Sequence, residues 1–393
     1  MTEVFLQAPS CVCALGATPA AIRAGLFGAA PTGVAPSEAW SPGALLHVGA
    51  FDGALPAVDH LPARLRSRGN ALLLAALAPL RAAVEAAIGR FGPARVAVVL
   101  GTSAAGLDEG LAAQRARQGG AGWPAGYDYA MQEMGNPAEC LAHELGLAGP
   151  AYAISTACSS GARALATGAR LLRAGVADAV VAGGVDALSS FTIAGFRALE
   201  AVAAERCNPL SANRRGINIG EGAALFLMGR AAGPVRLAGW GETADAHHMS
   251  APDPEGRGAT DAMRRALARA GVAARDVDYI NLHGTATEHN DAMESRAIAR
   301  LEGLAAPVSS TKPLTGHALA AAGAIEAAFA WHTLVDNPAG RLPPHWWDGE
   351  PDPALDRLQV VAPGGALGRP VRHVISNSFA FGGSNAALLF SRG

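Results

Sequence analysis

The segment Ala318 to Val335 constrains the fold more than any other part of this chain. It is long, apolar on every face and built largely from alanine, with Glu326 and His332 inside it. A helix that is apolar all round must be buried, either in a bilayer or between layers of protein. A glutamate and a histidine within the run argue against the bilayer. The segment therefore reads as a buried helix. A second run, Ser159 to Ala174, has the same small-sided character. Ser160-Gly-Ala-Arg-Ala-Leu-Ala-Thr-Gly168 echoes Thr315-Gly-His-Ala-Leu-Ala-Ala-Ala-Gly323, and each opens its helix after an extended piece holding Ser-Thr. The echo predicts a duplicated α/β protein with two central helices.

Apolar, β-rich runs alternate with these helical ones, which is the pattern of an α/β architecture. Arg95–Gly101, Tyr152–Thr156, Ala179–Gly183 and Ala223–Met228 read as strands of a first half. Val235–Gly239, Tyr279–Leu282, Pro307–Ser310, His373–Ser376 and Ala386–Phe390 read as strands of a second, with a helix over Ala262–Ala270. The halves meet near Gly229-Arg-Ala-Ala-Gly233, so the expected division is 1–230 and 231–393. The Pro/Trp-rich stretch Leu342 to Asp348 reads as a surface loop.

Composition removes several function classes. Half of the 393 residues are hydrophobic and 16% are charged, so a large core is possible and disorder is not expected. A net charge of −2 argues against a nucleic-acid coat or a basic membrane patch. The five cysteines, Cys11, Cys13, Cys140, Cys158 and Cys207, form an odd set without framework spacing. Free thiols in a reducing, cytoplasmic setting are the expectation. The first basic residue is Arg23, and no secretory signal pattern precedes it.

Lys312 is the chain's single lysine, against 31 basic residues in all. Arginine can serve most surface roles but cannot imitate a compact ammonium in a tight space. Lys312 lies in Ser309-Ser-Thr-Lys312-Pro-Leu-Thr-Gly-His317, at the mouth of the apolar helix. Cys158, in Ile154-Ser-Thr-Ala-Cys158-Ser-Ser-Gly161, falls at a strand-to-helix turn. There the helix N-terminus would favour thiolate and could stabilise an oxyanion. The alternative for Cys158 is a buried structural thiol, and the other four cysteines take that reading. His283 follows a strand and His317 opens a helix, whose dipole would keep that imidazole neutral. Both rings could then donate to a forming enolate. The remaining histidines, His247-His248 included, read as packing or loop residues. Phe379-Ala-Phe381-Gly-Gly383 lies between two strands, and its glycines permit close backbone approach. The chain has no P-loop and no G-x-S-x-G elbow, and a loosened dinucleotide fingerprint at Gly239 is followed by a loop instead of a helix.

Together these runs resemble the beta-ketoacyl-[acyl carrier protein] synthases of the elongating type I/II class. The matching blocks are Ser155–Gly161, Val181–Gly184, His283–Thr287, Asn290-Asp291, Ser309–Lys312, Thr315–His317 and Asn377–Gly383, in the family's order. The resemblance implies the thiolase fold, a duplicated five-layer αβαβα arrangement with two mixed sheets and buried central helices. It implies a Cys158-His283-His317 triad supported by Lys312 and Glu294. Thr285 and Thr287 would bind the phosphopantetheine arm of an acyl carrier protein. Phe381 would act as a gate and lend its N–H to the oxyanion hole, while Phe196, Phe379 and Ala104 would line the acyl channel. Ala104 stands where type II enzymes place a bulkier aliphatic, which implies a wider channel. Arg64, Arg66 and Arg68 would meet the acidic carrier protein, the alternative being a solvated face in an arginine-favouring chain.

The implied reaction needs no metal and no organic cofactor. The implied assembly is a homodimer, with a heterodimer with a related synthase-like subunit as the alternative, and no nucleic acid or membrane span is expected. Two features depart from the family pattern: Glu288-His289 where a proline is common, and Arg214-Arg215-Gly216-Ile217 in place of Arg-Asp-Gly-Phe. The run Cys207–Asn213 resembles specialised aryl-polyene-type synthases. A non-elongating chain-length subunit of the same fold would lack the nucleophilic Cys158. A thiolase would need a late second cysteine, and none follows Cys207. A thioester hydrolase is the rival from a different class.

Overall fold

The computed structural model describes residues 2–393. The first half runs β1 (Phe5–Leu6), β2 (Ser10–Cys13), α1 (Pro19–Leu26), β3 (Ala35–Ser37), β4 (Leu46–Val48), α2 (Arg68–Leu77), α3 (Arg81–Phe91), β5 (Val96–Gly101), α4 (Leu107–Gln118), α5 (Asn136–Leu145), β6 (Ala151–Ile154), α6 (Ser160–Arg173), β7 (Ala179–Asp186), α7 (Ser190–Ala198) and β8 (Gly222–Gly229). The second runs β9 (Val235–Ala244), α8 (Arg257–Ala270), β10 (Tyr279–Asn281), α9 (Glu288–Ala299), β11 (Val308–Ser309), α10 (Lys312–Thr315), α11 (Ala322–Leu334), β12 (His373–Ala380) and β13 (Ser384–Arg392).

Both halves build mixed sheets by the same rule. In the first, β5 pairs in parallel with β6 and β7, and β7 pairs antiparallel with β8. In the second, β10 pairs in parallel with β11 and β12, and β12, β13 and β9 follow antiparallel. The two sheets are not separate. Phe5 of β1 pairs with Gly229 on one side and Arg236 on the other, so a two-residue strand joins them into one hydrogen-bonded path. Sequence reading missed β1 because two residues carry no periodicity.

The path folds over on itself around α6 and α11. One core contains both helices and the inner faces of both sheets. A second core packs α2 and α5 on the outer face of the first sheet, and a third packs α8 and α9 on the outer face of the second. Helix, sheet, central helices, sheet and helix give five layers. Every residue of α11 is buried, as the all-round apolar pattern requires. Burial of His332 lowers its pKa to about 4, with the nearby Arg23 guanidinium adding to the effect. One other helical run, Arg68–Phe91, has a mean hydropathy of 1.8 and is long and apolar enough to cross a membrane by length and composition. In the structure α2 lies in the second core, and nearly all of its residues are buried.

Helices α6 and α11 cross at Gly161 and Gly323. A Cβ on Gly161 would stand 2.8 Å from the Ala320 carbonyl oxygen and 2.9 Å from the Ala324 nitrogen. A Cβ on Gly323 would stand 2.9 Å from the Ala162 nitrogen. The two backbones meet where neither helix carries a side chain, which brings the N-terminal ends of both central helices together.

Two outcomes follow for stability. Gly323→Ala would ordinarily strengthen a helix, but here it should destabilise by about 1–3 kcal/mol through overpacking, read by chemical denaturation. His332 is held neutral in the fold, whereas in the unfolded chain it protonates near pH 6.5. Its contribution is therefore full above pH 6.5 and is lost as pH falls toward 4. Between pH 7.5 and 5.0 the native chain should lose about 2 kcal/mol more stability than His332→Gln. Parallel losses in the two proteins would mean that the histidine protonates in place.

Candidate active site

Cys158 sits on a tight turn between β6 and α6. Ala157 before it has φ of +50°, a strained conformation for a residue with a side chain. Two serines hold the turn. Ser160 Oγ accepts from Thr156 N at 2.8 Å and donates to the Ala157 carbonyl at 2.5 Å. Ser159 Oγ donates to the Thr156 carbonyl at 2.8 Å and meets Ser384 Oγ at 2.8 Å. The strain points Sγ toward the second half of the molecule.

His317 Nε2 lies 2.9 Å from Cys158 Sγ. Its backbone is fixed by its N–H to the Asn218 carbonyl at 2.6 Å and by its own carbonyl to Gly220 N at 2.9 Å. The His283 ring stands beside it, with centroids 5.2 Å apart and planes at 82°. The loop carrying His283 hangs from Glu294, which accepts from His283 N at 2.9 Å and Gly284 N at 2.7 Å. Asn377 Nδ2 donates to the same carboxylate at 3.1 Å. Glu294 thus holds the loop and does not touch the sulfur.

Lys312 is 1% exposed. Its Nζ donates to the His283 carbonyl at 2.5 Å, lies 3.5 Å from His283 Nδ1 and pairs with Glu326 Oε1 at 2.6 Å. Glu326 was visible in the sequence as an acid stranded in an apolar helix. Pairing it with the single lysine was the available inference, and sequence reading gave the supporting carboxylate role to Glu294 alone.

Burial dominates the electrostatics. Both imidazoles are held well below their usual pKa by burial first and by Lys312 second, with His317 adding a further contribution at His283. The expected neutrality is present, but the helix dipole is not its source. A 3₁₀ turn, Leu319–Ala321, follows His317, and α11 begins only at Ala322. Burial pushes the Cys158 thiol up to about 12, while Lys312 and the residue's own N–H pull the other way. The expected resting thiolate is thus corrected to a neutral thiol with a neutral base in contact. Burial also raises Glu294 to about 7 against its three N–H bonds.

A cavity of about 390 Å³ opens above the sulfur and both imidazoles. Thr285 and Thr287 line one wall, their hydroxyl oxygens 3.0 Å apart. Phe196, Phe379 and Phe381 line it too, with the Phe196 and Phe381 rings 5.7 Å apart and Phe381 38% exposed. His248 and His289, read from sequence as packing or loop residues, also face this space. The sulfur and the imidazole nitrogens lie within 4.8 Å of one another, close enough to hold a soft cation, although the Lys312 ammonium beside His283 opposes one.

Other expected residues fall elsewhere. Ala104 does not line the cavity; it is buried, and its N–H donates to Asp186 Oδ1 at 2.9 Å. Asp186 itself was missed. It also accepts from Thr102 Oγ1, Ser103 N, Ser103 Oγ and Ala320 N, all at 2.7–2.8 Å, tying the end of β5 to the turn after His317. The three arginines expected to dock a carrier are engaged within the chain. Arg68 grips the fully buried Glu221 at 2.5 and 2.8 Å, Arg64 pairs with Glu139 at 2.6 Å, and Arg66 donates to the Leu61 and Asp59 carbonyls. Intramolecular carboxylates and carbonyls take the bonds that a free docking patch would keep available.

Comparison with known proteins matches residues 26–232 to the N-terminal domain of beta-ketoacyl synthases and residues 235–344 to their C-terminal domain. The chain belongs to the beta-ketoacyl synthase family. It is 37% identical over 266 residues to 3-oxoacyl-[acyl-carrier-protein] synthase 2 of Staphylococcus aureus (strain COL), covering 63% of each chain. It is 39% identical over 265 residues to the synthase of that name from Rhizobium meliloti (strain 1021), covering 63% of this chain and 62% of the other. These matches span less than two thirds of the curated relatives. Among solved structures it resembles the ketosynthase ApeO, determined in complex with its chain length factor ApeC, from Xenorhabdus doucetiae. There the identity is 40% and the TM-score 0.94, with coverage of 100% of this chain and 98% of that one. It also resembles the ishigamide ketosynthase/chain length factor, at 25% identity and a TM-score of 0.87. The five-layer architecture is the thiolase fold of these synthases.

The opposing influences on Cys158 can be separated. Lys312 lowers the thiol pKa and Glu326 raises it. Glu326→Gln should therefore speed alkylation of Cys158 by iodoacetamide at pH 8 by about three- to tenfold, and Lys312→Met should slow it. Mass spectrometry of the adduct reads both rates. Equal rates in all three proteins would show that the pair does not act on the sulfur.

Proposed function

We propose that this protein catalyses the decarboxylative Claisen condensation of an acyl group carried on Cys158 with malonyl-[acyl carrier protein], giving 3-oxoacyl-[acyl carrier protein]. The observation that carries the reading is a buried thiol 2.9 Å from one neutral imidazole and beside a second, on the floor of one cavity.

The site suits both half-reactions. In the first, His317 Nε2 takes the thiol proton as sulfur attacks the acyl thioester of the carrier. A neutral imidazole in contact can accept that proton only as the C–S bond forms, which avoids a bare thiolate in a dry site. The proton leaves with the carrier thiol. In the second, malonyl-carrier enters, the C–C bond to its carboxylate breaks, and carbon dioxide departs. His283 donates to the enolate oxygen, and His317 does so once its ring proton has moved from Nδ1 to Nε2, the nitrogen that faces the sulfur. The carbanion attacks the Cys158 thioester, the C–S bond breaks to release the product, and the expelled Cys158 sulfur takes up a proton from solvent, which balances the negative charge brought in by the malonyl carboxylate. The N–H groups of Cys158 and Phe381 would hold the oxyanion, and Thr285 and Thr287 the pantetheine arm. Lys312 fixes the His283 loop and keeps both imidazoles neutral and able to donate. No metal or organic cofactor enters this scheme.

The likeness to ApeO and the Cys207–Asn213 run support a specialised, aryl-polyene-type pathway over primary fatty-acid synthesis. The partners we infer are an acyl carrier protein and a second synthase-like subunit, since two similar ketosynthase structures pair with chain length factors. The presence of Cys158 beside its base counts against this chain being the non-elongating subunit. Five free, buried cysteines suit a cytoplasmic setting.

Intact-mass analysis after mixing with acyl-carriers tests the loading step. The native protein should gain the acyl mass, and Cys158→Ala should not. Removing one donor to the enolate costs about 3–4 kcal/mol. His283→Ala should accordingly still load acyl groups but release carbon dioxide from malonyl-carrier about 10²–10³-fold more slowly. Acyl release by water with no dependence on malonyl-carrier would identify a hydrolase instead.

A further inference from the structure

The stretch Leu342 to Asp348, expected at the surface, is buried from Leu342 to His345. His345 is 2% exposed and does not line the catalytic cavity. Its backbone N–H donates to the Val361 carbonyl at 2.8 Å, and Val361 N donates to the Val308 carbonyl of β11 at 2.9 Å. The Trp347 ring stands edge-on to the imidazole, with centroids 5.4 Å apart. Both ring nitrogens are engaged: Nδ1 lies 3.1 Å from Ser310 N, and Nε2 lies 3.0 Å from the Pro209 carbonyl. An amide N–H only donates and a carbonyl only accepts, so the ring is the neutral tautomer with its proton on Nε2. Burial brings its pKa down to about 4, against the Pro209 carbonyl, which raises it.

Both partners lead back to the loop that carries His283. On that loop the N–H groups of His283 and Gly284 are held by Glu294, and their carbonyls are held by Lys312 Nζ at 2.5 Å and Ser310 Oγ at 2.7 Å. Ser310 Oγ also accepts from Lys312 N at 3.3 Å. The fit is tight. Gly284 has φ of +41°, and a Cβ there would stand 2.6 Å from Ser310 Cβ. A shift of Ser310 therefore moves Gly284, and with it the His283 ring. Ser310 follows β11, and its own N–H is the one that His345 accepts. On the other side, Leu210 after Pro209 has φ of +63° and donates its N–H to Asp291 at 2.8 Å, and Asp291 accepts from Ala286 N at 3.2 Å. His345 thus reaches Gly284 through Ser310, and Ala286 through Pro209, Leu210 and Asp291.

The position is demanding. It needs an acceptor facing Ser310 and a donor facing Pro209, without charge and on a rigid frame. A carboxylate lacks the donor, and lysine and arginine lack the acceptor. An apolar side chain would leave a buried N–H and a buried C=O unpartnered.

We infer that His345 is a positioning residue for the decarboxylation step: its Nδ1 fixes Ser310, and Ser310 fixes the Gly284 carbonyl and so the aim of His283 at the enolate oxygen. This rests on the condensing reading and adds to it a residue that lies outside the cavity. The Nε2 bond to Pro209 anchors the ring, and the Nδ1 bond carries the effect on chemistry. A donor to a developing oxyanion works only when it is already in place, so a small displacement of His283 costs rate without removing any group that reacts.

Two substitutions separate the two bonds. Asparagine can place its carbonyl oxygen where Nδ1 stands, keeping Ser310 and losing Pro209. Glutamine can place its amide nitrogen where Nε2 stands, keeping Pro209 and losing Ser310. Each variant loses one buried hydrogen bond, so a merely structural role would cost both alike. The full-length protein and both variants are first loaded with an acyl group on Cys158, checked by intact mass, and carbon dioxide release from malonyl-[acyl carrier protein] is then followed. His345→Gln should lower kcat by about 10–100-fold with KM little changed, while His345→Asn should stay within about threefold of the native rate. Ser310→Ala, which removes the link to Gly284 and leaves the backbone bond to His345, should show the same fall in kcat. It decides the matter if either variant at 345 does not fold. Equal rates in His345→Gln and His345→Asn, or a native rate in Ser310→Ala, would overturn the inference. A loaded native protein that releases no carbon dioxide would instead defeat the condensing reading, and this inference with it.

Discussion

The ion pair between Lys312 and Glu326 is the constraint from which the rest of the site follows. Burying an ammonium costs several kcal/mol, and only close partners offset it. Glu326 at 2.6 Å and the His283 carbonyl at 2.5 Å supply them. The ammonium therefore joins three pieces of chain: α10, which carries it; α11, which carries the carboxylate; and the loop after β10, which carries His283. If the lysine shifts, the imidazole shifts. Arginine could not take its place, because a planar fork of five donors has no room in a pocket this closed. That is a physical reason for one lysine to persist in a chain that otherwise uses arginine.

The same burial sets the chemical character of the site. Thiol and imidazoles are all neutral at rest, the thiol because burial raises it and the rings because burial and Lys312 lower them. Charge then develops only during reaction, on groups already aimed at it. A dry, pre-aimed set of donors strengthens each interaction and needs no rearrangement as charge forms. Asp186 extends this rigidity below the sulfur. It accepts from the strand-end residues Thr102, Ser103 and Ala104 and from Ala320 after His317, so one carboxylate ties the nucleophile's half of the molecule to the base's half.

Charge is handled differently on the outside. The arginines at 64, 66 and 68 look in sequence like a docking patch, yet each is satisfied within the fold. Arg170, Arg173 and Arg269, on α6 and α8, are far apart in the sequence, and packing around Trp240 brings them together. A linear run of charge is thus a poor guide to a charged surface, since near neighbours in sequence can each find a private partner.

By itself the sequence determined the layers and the reacting groups. The all-round apolar helix had to be central, because no other position hides every face. The echo between the two helices pointed to two central helices, while their crossing at Gly161 and Gly323 is seen only in the fold. Cys158, His283, His317 and Lys312 stood out because their neighbours formed ordered motifs, and the structure brings all four together. Tertiary structure alone decided their working state. Whether Cys158 rests as thiol or thiolate depends on burial and on the charges of Lys312, Asp186 and Glu326, which only folding brings near the sulfur. The partnership of Lys312 with Glu326 depends on a turn between α10 and α11, and the hub at Asp186 on contacts among three strand ends and loops. The joining of the two sheets turns on two residues of β1. These properties arise from distance and desolvation, which a linear pattern does not encode.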